Sequence, residues 1–240
     1  MGSIHGVCKM ALAGLAALGL WGASLLPAMA GNSGNQPAFS IEPVIAFASG
    51  SMAEDYTVSI QWYGHMNEAQ SAGLKKRLQP DFLLEESAAG VVSLSSAGEG
   101  SRLRGSWSSL SGSHAGEAFL RLEADGTEAR GLAEAGSRID GWLREVGAAG
   151  DWSVKAAGVW NGEAALQPED AVSGLARTLL AAEELESYKD QGIVNTLYKT
   201  ELIGFKAEGT EAGFQTALHR NSETGAWNLA VGAPMLTGEF

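Results

Sequence analysis

Cysteine is almost absent from this sequence, and the one residue of that type, Cys8, lies near the amino terminus. The chain that follows Cys8 cannot form a disulfide and has no thiolate for nucleophilic or metal chemistry. A hydrophobic core must therefore stabilise it. The length of 240 residues is enough for one sizeable domain or two small ones.

Positive charge is also scarce. The chain carries 16 Lys and Arg residues against 28 Asp and Glu residues, and its net charge is −12. An excess of negative charge repels phosphate backbones and anionic lipid surfaces. We therefore expect no nucleic-acid partner and, once a signal segment has been removed, no association with the membrane.

Histidines that could bind a metal are few and widely separated. His65 follows a predicted strand, His114 lies in a Ser- and Gly-rich loop, and His219 lies near a strand end. A zinc site needs three or four converging ligands, usually two of them at short spacing. The sequence predicts solvated histidines here, with no metal site and no cofactor.

Motifs for nucleophilic or carboxylate catalysis are missing as well. Residues 105–109 fail the G-x-S-x-G pattern at the final glycine. Ser153 and Lys155 share one face of a predicted strand, where an exposed polar face is favoured over a Ser/Lys dyad. Adjacent carboxylates occur at Glu85-Glu86, Glu169-Asp170 and Glu183-Glu184-Glu186. Neighbours on a strand point to opposite faces, so we assign no catalytic residue.

The first thirty residues have the order of a secretory signal peptide. Lys9 supplies the positive charge, residues 10–26 form an uncharged apolar run, and Ala28-Met29-Ala30 is a small-x-small cleavage site. We predict that residues 1–30 are removed, with an uncleaved membrane anchor as the alternative. Without Lys9 the 16 basic residues become 15, against 28 acidic ones, and the net charge becomes −13.

Residues 31–36 are predicted to form a polar tether, and residues 37–124 a first α+β repeat. A helical period runs through 37–52, with Ser40 as the expected N-cap. A strand over 57–63 is expected to end at Gly64, and Asn67 with Gln70 predicts a capping box. An antiparallel meander is then predicted over 82–87, 91–95, 102–108 and 117–123.

Residues 125–240 are predicted to form a second α+β repeat. An apolar stripe predicts a helix over 129–146 that ends at Gly147 and Gly150, followed by a strand over 152–158. Pro168 is expected at the first position of the next helix. Strands are predicted over 187–190, 193–203, 214–219 and 227–235, with a hairpin loop at 221–225.

Each repeat is thus helix, strand, helix and then three or four strands, which defines an α+β fold with antiparallel sheets. Periodicity leaves open whether the two sheets join. The tryptophans of the strands share faces with aliphatic residues, so we predict that they pack in the core: Trp62, Trp107, Trp152 and Trp227, with Trp160 at a strand end. Tyr63, Phe119 and Tyr198 are expected to face outward.

The C-terminal run at 228–240, NLAVGAPMLTGEF, resembles the ending of the YwmB family. The match is a strand followed by V-G-x-P and a short tail, and it is carried by Val231, Gly232, Pro234, Thr237, Glu239 and Phe240. The resemblance implies an exported protein of a spore-forming, Gram-positive bacterium with a duplicated fold like that of the TATA-binding protein. It implies no catalytic residues, because none is assigned in that family.

Export, duplication and the missing catalytic motifs favour a non-enzymatic binding or interaction module in the cell envelope. Its partner would be an envelope protein or a cell-wall glycan. Two alternatives stay open at this point. One is a cell-wall hydrolase that uses carboxylates. The other is a small-molecule receptor with a cleft between the two repeats.

Overall fold

A computed structural model of the chain describes residues 40–88, 90–97, 103–109, 116–162, 167–204 and 211–234. The predicted signal peptide and tether, His114 and the last part of the C-terminal motif lie outside the described residues. Within them, no helix combines the length and the apolar character that crossing a membrane requires.

The described residues form four α-helices. Their bounds are Glu42–Ser51 (α1), Glu68–Leu78 (α2), Ala129–Glu145 (α3) and Pro168–Leu180 (α4). Asn67 and Gln70 form the predicted capping box, in which each side chain accepts a hydrogen bond from the other residue's backbone N–H. Pro168 begins α4, with Glu169 and Asp170 in its first turn, as expected. Helix α3 ends at Glu145, with Val146 as its C-cap, and Gly147 follows with a positive φ of 74° that suits glycine.

Within the described residues, ten strands form one antiparallel sheet. They are Thr57–His65 (β1), Phe82–Glu86 (β2), Val91–Ser96 (β3), Arg104–Ser109 (β4), Glu117–Asp125 (β5), Ala149–Val159 (β6), Glu183–Asp190 (β7), Ile193–Lys199 (β8), Phe214–Arg220 (β9) and Trp227–Ala233 (β10). Their order across the sheet is β2-β3-β4-β5-β1-β6-β10-β9-β8-β7. The fold is therefore α+β with a large antiparallel sheet and a few helices.

The two groups of strands join at the centre of the sheet. Strands β1 and β6 pair along nine residues, from Thr57 opposite Ala157 to His65 opposite Ala149. Strands β1–β5, which we call the first half, lie on one side of this junction, and β6–β10, the second half, lie on the other. The two predicted sheets therefore join into a single continuous sheet, which periodicity alone left open.

One face of the sheet carries the hydrophobic core. Side chains of the two central strands alternate, so that Val58, Ile60 and Trp62 on β1 are buried, as are Val154 and Ala156 on β6. Helix α1 contacts β6 and β10 of the second half, whereas α3 contacts β1 and β5 of the first half. The helix that precedes the first strand of each half therefore covers strands of the other half. These contacts hold the two halves together.

The tryptophan prediction is confirmed for the strand residues. Trp62, Trp107 and Trp152 are buried, and Trp160 and Trp227 are partly buried against the same core. The Trp62 ring lies across two facing glycines, Gly64 and Gly150: a Cβ atom added to either would lie 2.5–2.6 Å from that ring. This close approach explains why glycine occupies both positions.

Several local predictions were wrong. Ser40 is not the N-cap of α1; Ile41 is, and the Ser40 hydroxyl instead donates to the Glu42 carboxylate at 2.9 Å. Gly64 and Gly150 do not end their elements but lie within β1 and β6 as a cross-strand pair. The two glycines were each taken as the end of an element. They are instead needed within the strands, because packing there leaves no room for a side chain.

Tyr198 was wrongly expected to face outward. It is fully buried, its hydroxyl lies 3.0 Å from that of Ser173 on α4, and its ring lies 6.0 Å from the ring of Phe214. The alternation of β8 places Val194, Thr196 and Tyr198 on the core face, since α4 covers that part of the sheet. A hydroxyl that finds a partner allows a tyrosine to be buried. Strand β7 is also longer than predicted, beginning at Glu183.

Candidate functional site

The sheet has a second face, opposite the helices, which we call the distal face. It carries the alternate residues of each strand, for example Ser59, Gln61 and Tyr63 on β1. On the first half the distal face bears charged and aromatic side chains. On the second half it bears mostly small and amide side chains. The candidate site lies on the distal face of the second half.

Nine distal-face positions form a grid over β6, β10 and β9. The backbone register places three residues side by side in each row: Lys155, Gly232 and Gln215, then Ala157, Ala230 and Ala217, then Val159, Asn228 and His219. The middle row consists of alanine alone. The alanine methyl groups extend less far from the sheet than the Lys155, Asn228 and His219 side chains of the flanking rows, and this leaves a depression in the sheet surface.

This depression is a trough of about 390 Å³, which is within the usual size range of ligand pockets. Ala217 and Ala230 lie on its floor and are only 4% and 7% exposed, although neither belongs to the hydrophobic core between sheet and helices. Lys155 lines one side, and Asn228 and His219 line the other. The trough therefore combines an apolar floor with polar sides.

The connection between α1 and β1 closes one end of the trough. The N–H of Ala53 donates to the Val159 carbonyl at 2.8 Å, and Met52 forms a bridge with Trp160. These contacts hold the connection against the end of β6 and place Asp55 at the trough lining. The first half thus contributes one carboxylate to a site that is otherwise built from the second half.

Lys155 is the only lysine or arginine that lines the trough among the described residues. Burial lowers its pKa below the usual 10.5, and the positive charge of Arg121 lowers it further. Loss of hydration and repulsion by Arg121 are separate causes, and both disfavour the ammonium charge at this position.

An amide pair lies next to the trough. The Gln215 side-chain amide donates to the Asn195 side-chain carbonyl at 2.6 Å, from β9 to β8. Gln215 is only 7% exposed. This contact fixes the orientation of the amide in the same row as Lys155, so that the row presents defined polar atoms.

The distal face of the first half differs in chemistry. Arg121 forms an ion pair with Glu123 on the same strand, and Tyr63 donates from its hydroxyl to the Glu117 carboxylate at 2.5 Å. Burial, the hydrogen bond and the negative charge of Glu117 raise the pKa of Tyr63 to about 12. These side chains fill the surface that alanine leaves open on the other half.

The sequence-predicted candidates are only partly brought together. His219 lines the trough with Lys155, whereas His65 is the last residue of β1 and not part of the turn that was expected to hold it. Ser153 and Lys155 do share one face, as predicted, but Ser153 does not line the trough. No group of three or more potential metal ligands occurs within the described ranges.

Sequence reasoning missed most of the trough. Ala157, Ala217, Ala230 and Asn228 carry no motif, and their common position depends on pairing between strands far apart in the chain. One signal was available: β9 reads Phe-Gln-Thr-Ala-Leu, in which both alternating sets of residues are compatible with burial. When the residues on both faces of a strand are buried, its distal side makes contacts as well as its core side.

Comparisons with known proteins assign the chain to no family. No family model matches it, and no curated protein matches it. One similar solved structure is the ligand-free regulatory subunit of aspartate kinase from Thermus thermophilus, at 12% identity, with 77% of this chain and 87% of that chain covered and a TM-score of 0.20. Another is DynU16, a protein of the dynemicin biosynthetic locus, at 12% identity, 76% and 69% coverage and a TM-score of 0.23. Neither similarity carries an argument about function.

Proposed function

We propose that this protein is a non-enzymatic binding module, exported to the cell envelope of a Gram-positive bacterium, that holds its ligand on the distal face. The observation that carries the proposal is the trough over β6, β9 and β10. It has the size of a ligand pocket, an apolar floor of three alanines and polar side chains on both sides.

We also propose that the fold is a duplication like that of the TATA-binding protein, with repeats at 37–124 and 125–240. The strand order supports this. Reading outward from the centre, the first half runs β1, β5, β4, β3, β2 and the second half runs β6, β10, β9, β8, β7. Each half thus places its first strand centrally and its later strands in the same succession. The helices also alternate with the strands in the same order.

Membership of the YwmB family is a proposal that rests on the C-terminal motif. The described part of that motif, Val231, Gly232 and Pro234, lies at the end of β10 and is buried. Gly232 also lies opposite Lys155 in the pairing of β10 with β6. Export rests on the signal-like residues 1–30 of the sequence.

Binding is favoured over hydrolysis by the composition of the trough. Asp55 is the one carboxylate among its described lining residues, whereas glycoside hydrolysis uses two flanking carboxylates. Nucleic-acid binding is disfavoured because a single strand, β5, already places three carboxylates on the distal face, those of Glu117, Glu123 and Asp125. A sheet that binds duplex DNA needs basic residues along its face.

Filling the trough tests the proposal. The full chain, an Ala217→Phe variant and a Ser106→Phe variant would be exposed to protein, glycan and small-molecule fractions of an envelope extract, and retained species identified by native mass spectrometry. Ser106 is a matched control, because β4 has the same position in the first half as β9 has in the second. We expect a species retained by the wild type and by Ser106→Phe but lost from Ala217→Phe.

Two results would contradict this function. One is a wild-type protein that retains nothing from any fraction. The other is equal retention by wild type and Ala217→Phe, with circular dichroism showing that the variant is folded. Either would remove the trough as the binding site.

A further inference from the structure

Strand β7 differs from the other described strands, because it buries none of its side chains. All eight residues of Glu183–Asp190 are exposed. The strand at the opposite edge of the sheet, β2, has five residues and buries Phe82. Burial of an apolar side chain therefore helps to hold β2 in the sheet, whereas the length of β7 is not required by the hydrophobic core.

Strand β7 also has an open hydrogen-bonding edge. Its one neighbour among the described strands is β8, so alternate N–H and C=O groups of β7 point away from the sheet. A bulge between Glu184 and Glu186 interrupts the pairing with β8, and the pairing is regular from Glu186 to Asp190. This regular segment is long enough to add a short further strand.

Most of the charge on β7 is negative. Its four acidic residues outnumber its one lysine, Lys189. On the side that faces the helices, two ion pairs join β7 to α4: Glu184 lies 3.7 Å from Arg177, and Lys189 lies 3.6 Å from Glu169. These contacts hold the strand in place and take up the charge of its one lysine.

The distal side of β7 consists of an aromatic residue between two carboxylates. Glu186, Tyr188 and Asp190 lie opposite distal-face residues of β8, and Tyr188 is 59% exposed. Its hydroxyl donates to the Asp190 carboxylate at 3.4 Å. Within the described part of the chain, neither Glu186 nor Asp190 forms an ion pair. The two acidic residues are about 13 Å apart along the strand, which is the spacing of residues four apart in an extended peptide.

We propose that β7 binds an extended basic segment of a partner protein by strand addition, with cationic side chains opposite Glu186 and Asp190 and an apolar side chain opposite Tyr188. Main-chain hydrogen bonds supply affinity in this mode of binding, and alternate side chains supply specificity. Opposite charges and aromatic–aliphatic contacts are pairs that stabilise facing strands. The inference goes beyond the proposed function, because β7 does not line the trough.

A second copy of this chain is a poor occupant of the same edge. Antiparallel pairing of the regular segment with itself, centred on Tyr188, would place Glu186 opposite Asp190 at both ends. Like charges directly opposite each other destabilise a pair of strands. The acidic residues therefore disfavour self-association and favour a basic partner strand.

The experiment uses three synthetic heptapeptides and the full chain labelled with ¹⁵N. The basic probe is Thr-Lys-Thr-Val-Thr-Lys-Thr, whose lysines have the spacing of Glu186 and Asp190. The acidic probe has glutamate in place of both lysines, and the proline probe has proline in place of valine, so that it cannot continue a strand. We expect the basic probe to shift the amide signals of residues 186–190 and to slow hydrogen exchange of the amides that point outward. The acidic probe should bind about tenfold more weakly or less, and the proline probe should also bind more weakly.

Charge reversal provides the second readout. Glu186→Lys combined with Asp190→Lys should weaken binding of the basic probe by about tenfold and strengthen binding of the acidic probe, which a loss of structure would not do. Glu85→Lys is the matched control, because Glu85 is an exposed acid on the distal face of the other edge strand, β2. We expect no change for it. Ala217→Phe should bind the basic probe as the wild type does, so failure of this inference and failure of the trough are distinguishable.

Three results would overturn the inference. One is the absence of shifts at residues 186–190 with the basic probe in the millimolar range. Another is equal binding of the basic probe and either of the other two probes. The third is unchanged binding of the basic probe by the charge-reversed variant, with circular dichroism showing that the variant is folded.

Discussion

The two halves of the sheet agree on one face and differ on the other. Toward the helices, both present large apolar residues, such as Leu120 and Leu122 on β5 and Leu229 and Val231 on β10. On the distal face, β5 presents Phe119, Arg121 and Glu123, whereas β10 presents Asn228, Ala230 and Gly232. The same strand order therefore supports two different surfaces.

This difference separates positions constrained by folding from positions that are free to vary. Every core-facing side chain must fill space against a helix, so the two halves use similar residues there. Distal positions carry no such requirement, and a run of small residues there is not explained by the core. The comparison supports the proposal that the ligand site lies on the distal face of the second half, and the following substitutions test it.

The largest expected effect concerns the shared core. Trp62 and Trp152 lie opposite each other on β1 and β6, and both are buried. We expect Trp62→Ala and Trp152→Ala each to lower the free energy of unfolding by about 3–5 kcal/mol in urea denaturation. Leu179→Ala, at a side chain 41% exposed, should change it by less than about 1 kcal/mol. If one of the two tryptophan substitutions left the free energy of unfolding nearly unchanged, the two halves would not share the core equally.

Close packing in the first half should give the next effect. A Cβ atom at Gly105 would lie 2.4 Å from the Arg121 carbonyl and 2.5 Å from Leu122. Gly105→Ala should therefore cost about 1–3 kcal/mol, as overpacking does. Gly141→Ala in α3, where a Cβ meets nothing within 4 Å, should instead stabilise by about 0.4–1 kcal/mol. Thermal unfolding of both variants checks the two signs.

The polar network of the first half should contribute less and depend on pH. The Tyr63 hydroxyl donates to Glu117, and its pKa is raised from 10.0 to about 12. A raised pKa means that the contribution is complete below pH 10 and is lost as pH rises through 12. Because Tyr63 is partly exposed, we expect Tyr63→Phe to cost about 0.5–1 kcal/mol at neutral pH. An equal cost at pH 7 and above pH 12 would contradict the hydrogen bond.

The smallest effect, of opposite sign, should be at Lys155. Burial and Arg121 lower its pKa below 10.5, so the unfolded chain binds more protons between the two pKa values. Stability should then rise with pH in that window, and the cost of the charge should be complete below it. We expect Lys155→Met to melt no lower than wild type at neutral pH. A lower melting temperature would show that the interactions of the Lys155 ammonium group stabilise the fold by more than its burial costs.

Much of the fold was predictable because it depends on local chemistry. The Asn67 capping box, Pro168 at the start of α4 and the hairpin loop at Asn221 follow from hydrogen bonding and backbone restriction within a few residues. The predictions failed where distant elements decide. Tyr198 is buried because α4 covers β8, and Gly64 stays within β1 because the Trp62 ring needs its space.

The candidate site was mostly beyond sequence reasoning. Lys155 and His219 were singled out by type, yet nothing nearby in the chain links them to each other or to Ala230. Alanine has no polar atom and no strong positional preference on a strand surface, so a row of three has no signature when its members are dispersed.

Alternation of apolar and polar residues within a strand indicates which of its sides faces the helices. The reason is that burial of apolar surface is the dominant favourable contribution to the free energy of folding. The scarcity of cysteine and the excess of acidic residues are likewise read directly from the sequence. Pairing decides the rest: β6 adds to β1, β10 to β6 and β9 to β10. That register places Ala157, Ala230 and Ala217 in one row with Lys155 beside it, because β6 and β10, whose facing residues Ala157 and Ala230 are 73 positions apart in the chain (230 − 157), share hydrogen bonds across about 5 Å.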